Sequence, residues 1–232
     1  MHITTKTTAK EIFTYMVEKY HGLYLEVKKT HDNIATLRKS NHGHGLDHDL
    51  TVAQYSAIIT EDERVGEMAW VAGLMHSADK HFSGEKERLL IDQYFSLLPK
   101  GEFDNEELKM MREAIAEHSK LNSPLDNPVT IVLKDADRLA NLGAINFIRC
   151  GQQRPDIPAC LLEFMDRLHP QATFREPMSC YDMTFYNLEW EEMLRMPIAM
   201  ALGRKYFYFI RNFQQMAREQ VEYLGLYPWP IK

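Results

Sequence analysis

The sequence predicts an all-α protein built as a single-domain helical bundle, and three observations lead there. Apolar residues recur at intervals of three and four through segment after segment, the spacing that lines up side chains on one face of an α-helix. Thr8-Ala9-Lys10-Glu11 and Thr60-Glu61-Asp62-Glu63 have the form of capping boxes, in which a hydroxyl and a carboxylate each satisfy a free backbone N–H at a helix start. Gly and Pro are sparse inside the periodic stretches, and no repeat or low-complexity block is present. At 232 residues the chain has enough length for one large core and does not demand two.

The first helix follows Thr8 and carries Ile12, Phe13, Met16 and Tyr20; Gly22 interrupts it before a second run towards Arg38. Ser40 to Gly45 reads as a turn because Asn41, Gly43 and Gly45 weaken any helix through it. A helix from about Leu46 to Ile59 bears the stripe His48, Val52, Tyr55, Ile59, and the one capped at Thr60 bears Val65, Met68, Ala69, Ala72, His76. The small residues Ala69, Ala72 and Gly73 permit close approach of a neighbour, as at the centre of a bundle. Residues 85 to 98 form an amphipathic helix closed by Pro99-Lys100-Gly101, and Asp104 to Glu107 opens another with Leu108, Met111, Ile115 and His118 on one face. Asn127-Pro128 starts a helix bearing Val129, Val132, Leu133, Ala136 and Ala140, with Asp137 between its inward positions. Gly143 and Gly151 bracket a short piece, residues 151 to 180 are loop-rich with a short helix around Leu161 to Leu168, and helix returns over about 184 to 224, broken or kinked near Pro197. Its stripe of Tyr206, Phe207, Phe209 and Phe213 is expected in the core.

A formal net charge of −6, with both signs mixed along the chain, provides no basic block to track a phosphate backbone. Bulk nucleic acid is therefore disfavoured as a partner, whereas small anionic ligands are not. The three cysteines are odd in number and too widely spaced for a CxxC clip, which fits a reducing compartment and incidental thiols. The first ten residues lack the apolar core of a signal peptide and no run has the apolar length of a membrane span, so a cytoplasmic location without membrane attachment is expected. Oligomeric state has no signature.

Four polar residues end or interrupt these stripes: His48, His76, His118 and Asp137. Buried imidazoles and carboxylates are costly unless something pairs with them. A shared divalent cation with a phosphate-bearing ligand satisfies them together; separately paired core groups are the alternative.

The stretches HGLDHDLTV at 44 to 52, AGLMHSADK at 72 to 80, His118-Ser119 after a helix, and LKDADRLANLGAI at 133 to 145 resemble the HD superfamily of metal-dependent phosphohydrolases, in particular its small single-domain bacterial members. The likeness covers about residues 40 to 150 well and the rest loosely, with the C-terminal helices of about 184 to 224 packing on that core. It implies a bundle of HD-domain type and a mononuclear site built from a His, a His-Asp doublet and a later Asp. Position by position, His48 and His76 become metal ligands, Asp137 the last ligand, and Ser77 stands where the doublet has Asp. A neutral hydroxyl is a poorer ligand than a carboxylate and brings no charge to offset a cation. Asp79 replaces it, directly or through water, if the helix persists past His76.

The activity so implied is metal-assisted hydrolysis of a small phosphorylated compound, a nucleotide among the candidates, with Mn, Co, Ni, Fe, Zn or Mg as the ion. Asp79, His118, Lys80 and Arg138 are the candidate catalytic and phosphate-binding residues. For His118 a helix-capping role is the competing reading, and for His44, one turn before His48, a solvated loop position. Asp135 is expected exposed, and His2, His21, His31, His42, His81 and His169 are expected on the surface. The competing functions are a degenerate HD module that binds a nucleotide or protein without turnover, and a purely structural adaptor.

Overall fold

The computed structural model describes residues 8–38 and 43–228. Residues 40–42 of the expected turn and residues 1–7 of the N-terminal stretch lie outside that range. The described residues are all-α, and no helix among them is long and apolar enough to cross a membrane. The chain divides into two compact units, one running to Ala140 and including Arg195–Ala199, the other Asn141–Leu194 and Met200 onward.

The first unit holds α1 (Ala9–Lys19), α2 (His21–Arg38), α3 (Leu46–Ile58), α4 (Glu63–Met75), a single turn α5 (Ala78–His81), α6 (Glu85–Ser96), α7 (Asn105–Glu117) and α8 (Pro128–Ala140). α3 and α4 pack most extensively, both lie on α8, and α7 closes against α4 and α8. The side chains of Tyr20, Leu23, Trp70, Leu74, Met111, Leu133 and Leu139 fill the space between them. α4 is the central element: every residue from Gly66 to Met75 is buried. It can lie that close to α3 because a Cβ at Gly73 would meet Ala53 Cα at 2.9 Å and Ala53 N at 3.0 Å.

Local signals account for most boundaries. Thr8 with Glu11 and Asp104 with Glu107 form complete capping boxes on α1 and α7. At α4 the expected cap moves two residues on. Asp62, not Thr60, accepts from the Arg64 and Val65 N–H groups, since its carboxylate is the stronger acceptor at the positive helix end. A charged cluster then fixes the start of α4: Lys19 binds Glu67 at 2.5 Å and Glu102 at 2.7 Å, Arg64 binds Glu107 at 2.6 Å, and the Tyr20 hydroxyl donates to Glu67 at 2.8 Å.

In the second unit, α9 (Gly143–Gln153) is followed by an irregular stretch containing only a 3-10 turn at Leu162–Phe164 where a short helix is expected, because Pro158 and Pro170 leave little room to propagate one. α10 (Asp182–Glu189) follows, and Pro197 begins α11 (Pro197–Tyr223) instead of kinking a longer helix, the position where its missing N–H costs nothing. The aromatic stripe is buried at Phe207 but partly open at Phe209, whose ring meets Phe147 of α9 at 5.6 Å. The three cysteines are free thiols.

Gly73→Ala is expected to lower stability by about 1–3 kcal/mol in urea denaturation, because added atoms in a packed core force the backbones apart. Gly22→Ala, at a helical position with nothing within 4 Å of the new methyl, should instead gain about 0.5–1 kcal/mol from helix propensity. Equal effects at the two sites would contradict the packing described.

Candidate metal centre

His76 and His118 are the C-caps of α4 and α7, and each folds back onto its own helix. His76 Nδ1 donates to Gly73 O and His118 Nδ1 to Ile115 O, both at 2.7 Å. Those carbonyls are among the orphan acceptors of a helix end. A carbonyl oxygen carries no proton, so Nδ1 must be the donor in both rings, and the neutral form leaves Nε2 with a bare lone pair pointing away from the helix. The sequence places a His at the end of each stripe; the helix terminus then selects its tautomer.

His48 enters from the first turn of α3, behind an N-cap at Gly45. Its Nε2 lies 3.2 Å from His76 Nε2 and 3.4 Å from Asp137 Oδ1 of α8, and His76 Nε2 lies 3.8 Å from the same oxygen. Both imidazoles are buried, while the Asp137 side chain is 20 % exposed, so the cluster opens outward on that side. Around a divalent ion with bonds of about 2.1 Å, neighbouring donors stand about 3.0–3.5 Å apart. The residues present fit such an ion: two ring nitrogens and a carboxylate oxygen from three helices, close to that spacing. Three protein donors also leave positions for water and substrate, as a catalytic site requires.

The other expected site residues take different places. α4 ends at Met75 and the backbone turns at Ser77, so the premise that puts Asp79 on the same face as His76 does not hold. Asp79 lies outside the three-donor cluster and pairs with Lys80 at 2.6 Å. Both lie near enough to His118 to act on its ring electrostatically. The His118 ring stands edge-on to that of His76 with centroids 5.0 Å apart. Arg138 is buried beside Asp135 at 3.4 Å. His44 is half-buried, its ring 5.3 Å from that of His48.

Two expectations of exposure are overturned. Asp135 is fully buried and accepts from Arg195 N at 2.6 Å and Met196 N at 2.7 Å, because the returning segment Arg195–Ala199 covers a flank of α8 that a one-stripe reading leaves in water. Burial raises its pKa despite those bonds. His31 and His81 are also buried, their rings edge-to-face at 5.3 Å, with His81 Nε2 2.9 Å from His44 O.

The partner of His31 is a residue that sequence reasoning missed. Asp49 is 2 % exposed and holds three contacts: His31 Nε2 at 2.8 Å, the Ser77 hydroxyl at 2.5 Å and His76 Nδ1 at 3.5 Å. A second inward row was available in the sequence, since Asp49, Ala53, Ser56 and Ala57 repeat at helical spacing beside His48 and Val52, and all six are buried.

Burial pushes the His76 imidazole below its ordinary range, with Asp49 only partly opposing, and pushes His118 down likewise, with His76 adding to the effect. Burial would raise both aspartates, yet hydrogen bonding from His48 and the neighbouring rings hold Asp137 well below the usual carboxylate range, and His76 and His31 hold Asp49 below it. The centre thus presents neutral rings at His76 and His118 and ionised carboxylates at neutral pH.

Comparison with solved structures places this architecture. A Lactobacillus plantarum protein matches with a TM-score of 0.66 at 14 % identity, over 88 % of this chain and 96 % of that one. Bacillus subtilis YpgQ, solved in complex with ADP, matches with a TM-score of 0.61 at 17 % identity over the same shares. An HD-superfamily hydrolase from Bacillus thuringiensis matches with a TM-score of 0.57 at 18 % identity, over 93 % of this chain and 98 % of that one. No protein-family model and no curated protein sequence matches. The likeness is one of fold, and the fold is HD-like.

The shifts fix the acid response of the metal-free protein. His76 and His118 have folded-state pKa values below the unfolded value of about 6.5, so under acid the unfolded chain takes up protons that the folded chain refuses, and stability falls as pH drops through about 6.5. Asp49 and Asp137 are depressed, so their contribution is present above about pH 4 and is lost as pH falls further. Urea midpoints should therefore decline in two stages, and His118→Asn should shrink the first. A midpoint constant from pH 7.5 to 5 would contradict the neutral, buried imidazoles.

Proposed function

We propose that this chain is a metal-dependent phosphohydrolase acting on a small phosphorylated compound, with a nucleotide as the leading substrate class. The observation that carries the reading is the convergence of His48 Nε2, His76 Nε2 and Asp137 Oδ1 from three helices beside a partly open face. The HD-like fold, shared with a structure described as a hydrolase and with one solved with ADP, supports it.

His48, His76 and Asp137 would hold a divalent ion, which would supply Lewis acidity for a phosphoryl oxygen and a nucleophilic water near neutral pH. The remaining work falls to side chains. His118, neutral and with Nε2 unprotonated, is suited to accept a proton or orient the attacking water. Lys80, partly exposed and paired with Asp79, brings a cation near His118 for phosphate. Arg138, held by Asp135, acts through its field more than through contact. Ser77 favours a second reading, a module that binds a phosphate ligand without turning it over, because a hydroxyl stands where the family pattern has a carboxylate.

Protein stripped with EDTA should regain turnover of phosphomonoesters or nucleotides on adding manganese, cobalt, nickel, zinc or magnesium. Asp137→Ala or His48→Ala should reduce that activity by at least about 100-fold, at or beyond the loss typical of changes around metal ligands. Ligand binding without turnover under every ion would favour the binding module; neither metal uptake nor turnover would remove the enzyme reading.

A further inference from the structure

We infer that Ser77 Oγ is a fourth protein donor to the ion held by His48, His76 and Asp137, and that the buried Asp49 carboxylate supplies the centre's second negative charge through that hydroxyl. The inference deepens the proposed function and rests on its metal reading.

Ser77 is buried, and its Oγ lies 3.4 Å from His76 Nε2, the nitrogen that faces the cluster. That separation equals the 3.4 Å between His48 Nε2 and Asp137 Oδ1. The hydroxyl has one proton, and its destination is fixed: Asp49 Oδ1 is 2.5 Å away, and an ionised carboxylate can only accept. No proton is then left for the His76 contact, whose nitrogen is itself bare because Nδ1 donates to Gly73 O. Two lone pairs with no proton between them are thus held at ligand spacing, the arrangement that a cation stabilises.

Asp49 is built to serve this hydroxyl. Its other oxygen is fixed by His31 Nε2 at 2.8 Å, so the carboxylate cannot swing away. An O–H to carboxylate bond of this length is charge-assisted and draws the proton towards Asp49, which makes Oγ a better electron donor than a free hydroxyl. The proton stays on the hydroxyl, and no other group gains or loses one. Ser77 is therefore the visible half of a pair: the carboxylate stands on α3, one hydroxyl away from the ion, instead of next to His76 in the chain.

The test is titration of cobalt(II) into EDTA-stripped protein, read by its visible absorption and by calorimetry, with the fold of each variant checked by circular dichroism. Ser77→Ala should weaken binding about 10–100-fold and alter the cobalt spectrum, and Asp49→Asn, which keeps shape and hydrogen bonding, should weaken it about 10-fold. Ser77→Asp alone should bind no tighter than wild type, because it sets a second carboxylate against Asp49; combined with Asp49→Asn it should bind at least as tightly as wild type. If Ser77→Ala binds within twofold of wild type with an unchanged spectrum, while His48→Ala loses binding, the pair is packing only and this inference falls alone. Should Ser77→Ala not fold, Asp49→Asn decides by the same criterion. If wild type and His48→Ala both fail to take up cobalt, the metal reading falls and the inference with it.

Discussion

The site exists because Gly73 has no side chain. α3 crosses α4 so closely that a methyl group there would stand 2.9 Å from Ala53 Cα, and this approach sets His48, one turn into α3, against His76, at the end of α4. The same residue presents the carbonyl that holds His76 Nδ1 and turns Nε2 towards its partner. One position thus fixes both the distance between the imidazoles and the orientation of one of them. Loss of the approach would separate the nitrogens well before it dismantled the bundle, because the charged cluster of Lys19, Arg64, Glu67 and Glu102 secures the other end of α4 independently.

The assembled side chains concentrate donor atoms in a small space. The two ring nitrogens stand 3.2 Å apart, and the one on His76 is bare in the neutral ring, so either a proton on His48 Nε2 or a cation lies between them. Two carboxylates held below their ordinary pKa add negative charge in a region where charge is costly to bury. His31 offsets part of that at Asp49, and hydrogen bonding from His48 offsets part of it at Asp137. A divalent ion would answer both demands at once, so the donor geometry and the charge balance favour the same proposal.

Much of this was legible in the chain because polar residues stood where apolar ones belong. His48, His76 and His118 each end or begin a three-and-four stripe, and Asp137 interrupts one; such residues face inward and must be paired. What escaped shares a single cause. A one-stripe reading assumes that a helix buries one face, but α3 is enclosed by α2, α4 and α8 and buries two adjacent rows. Asp49 sits on the second row, which no single stripe marks, and with it goes the reason to bury His31. α8 is enclosed in the same way, which hid Asp135 as the receiver of the Arg195 and Met196 amides. The end of α4 decides a conditional reading: Asp79 fits the face of His76 only on a continuing helix, and the backbone turns at Ser77 before it gets there.

Ser77 illustrates how far neighbours in sequence differ from neighbours in space. Along the chain it looks like a lost carboxylate, since the residue after His76 has become neutral. In the fold a carboxylate lies 2.5 Å from its hydroxyl, contributed from 28 positions upstream. A helix end constrains what can follow a capping His, because the chain must turn there; a serine fits that turn easily, and the charge can then come from a rigid neighbouring helix. Moving the charge one hydroxyl outward also changes what it does. It would remain near enough to act on the field of a bound ion while leaving the nearest position to a neutral oxygen, so the centre would keep its charge count and present a weaker direct ligand. A site so arranged should hold its ion less rigidly than one with two direct carboxylates and leave more of the ion's charge for a phosphate.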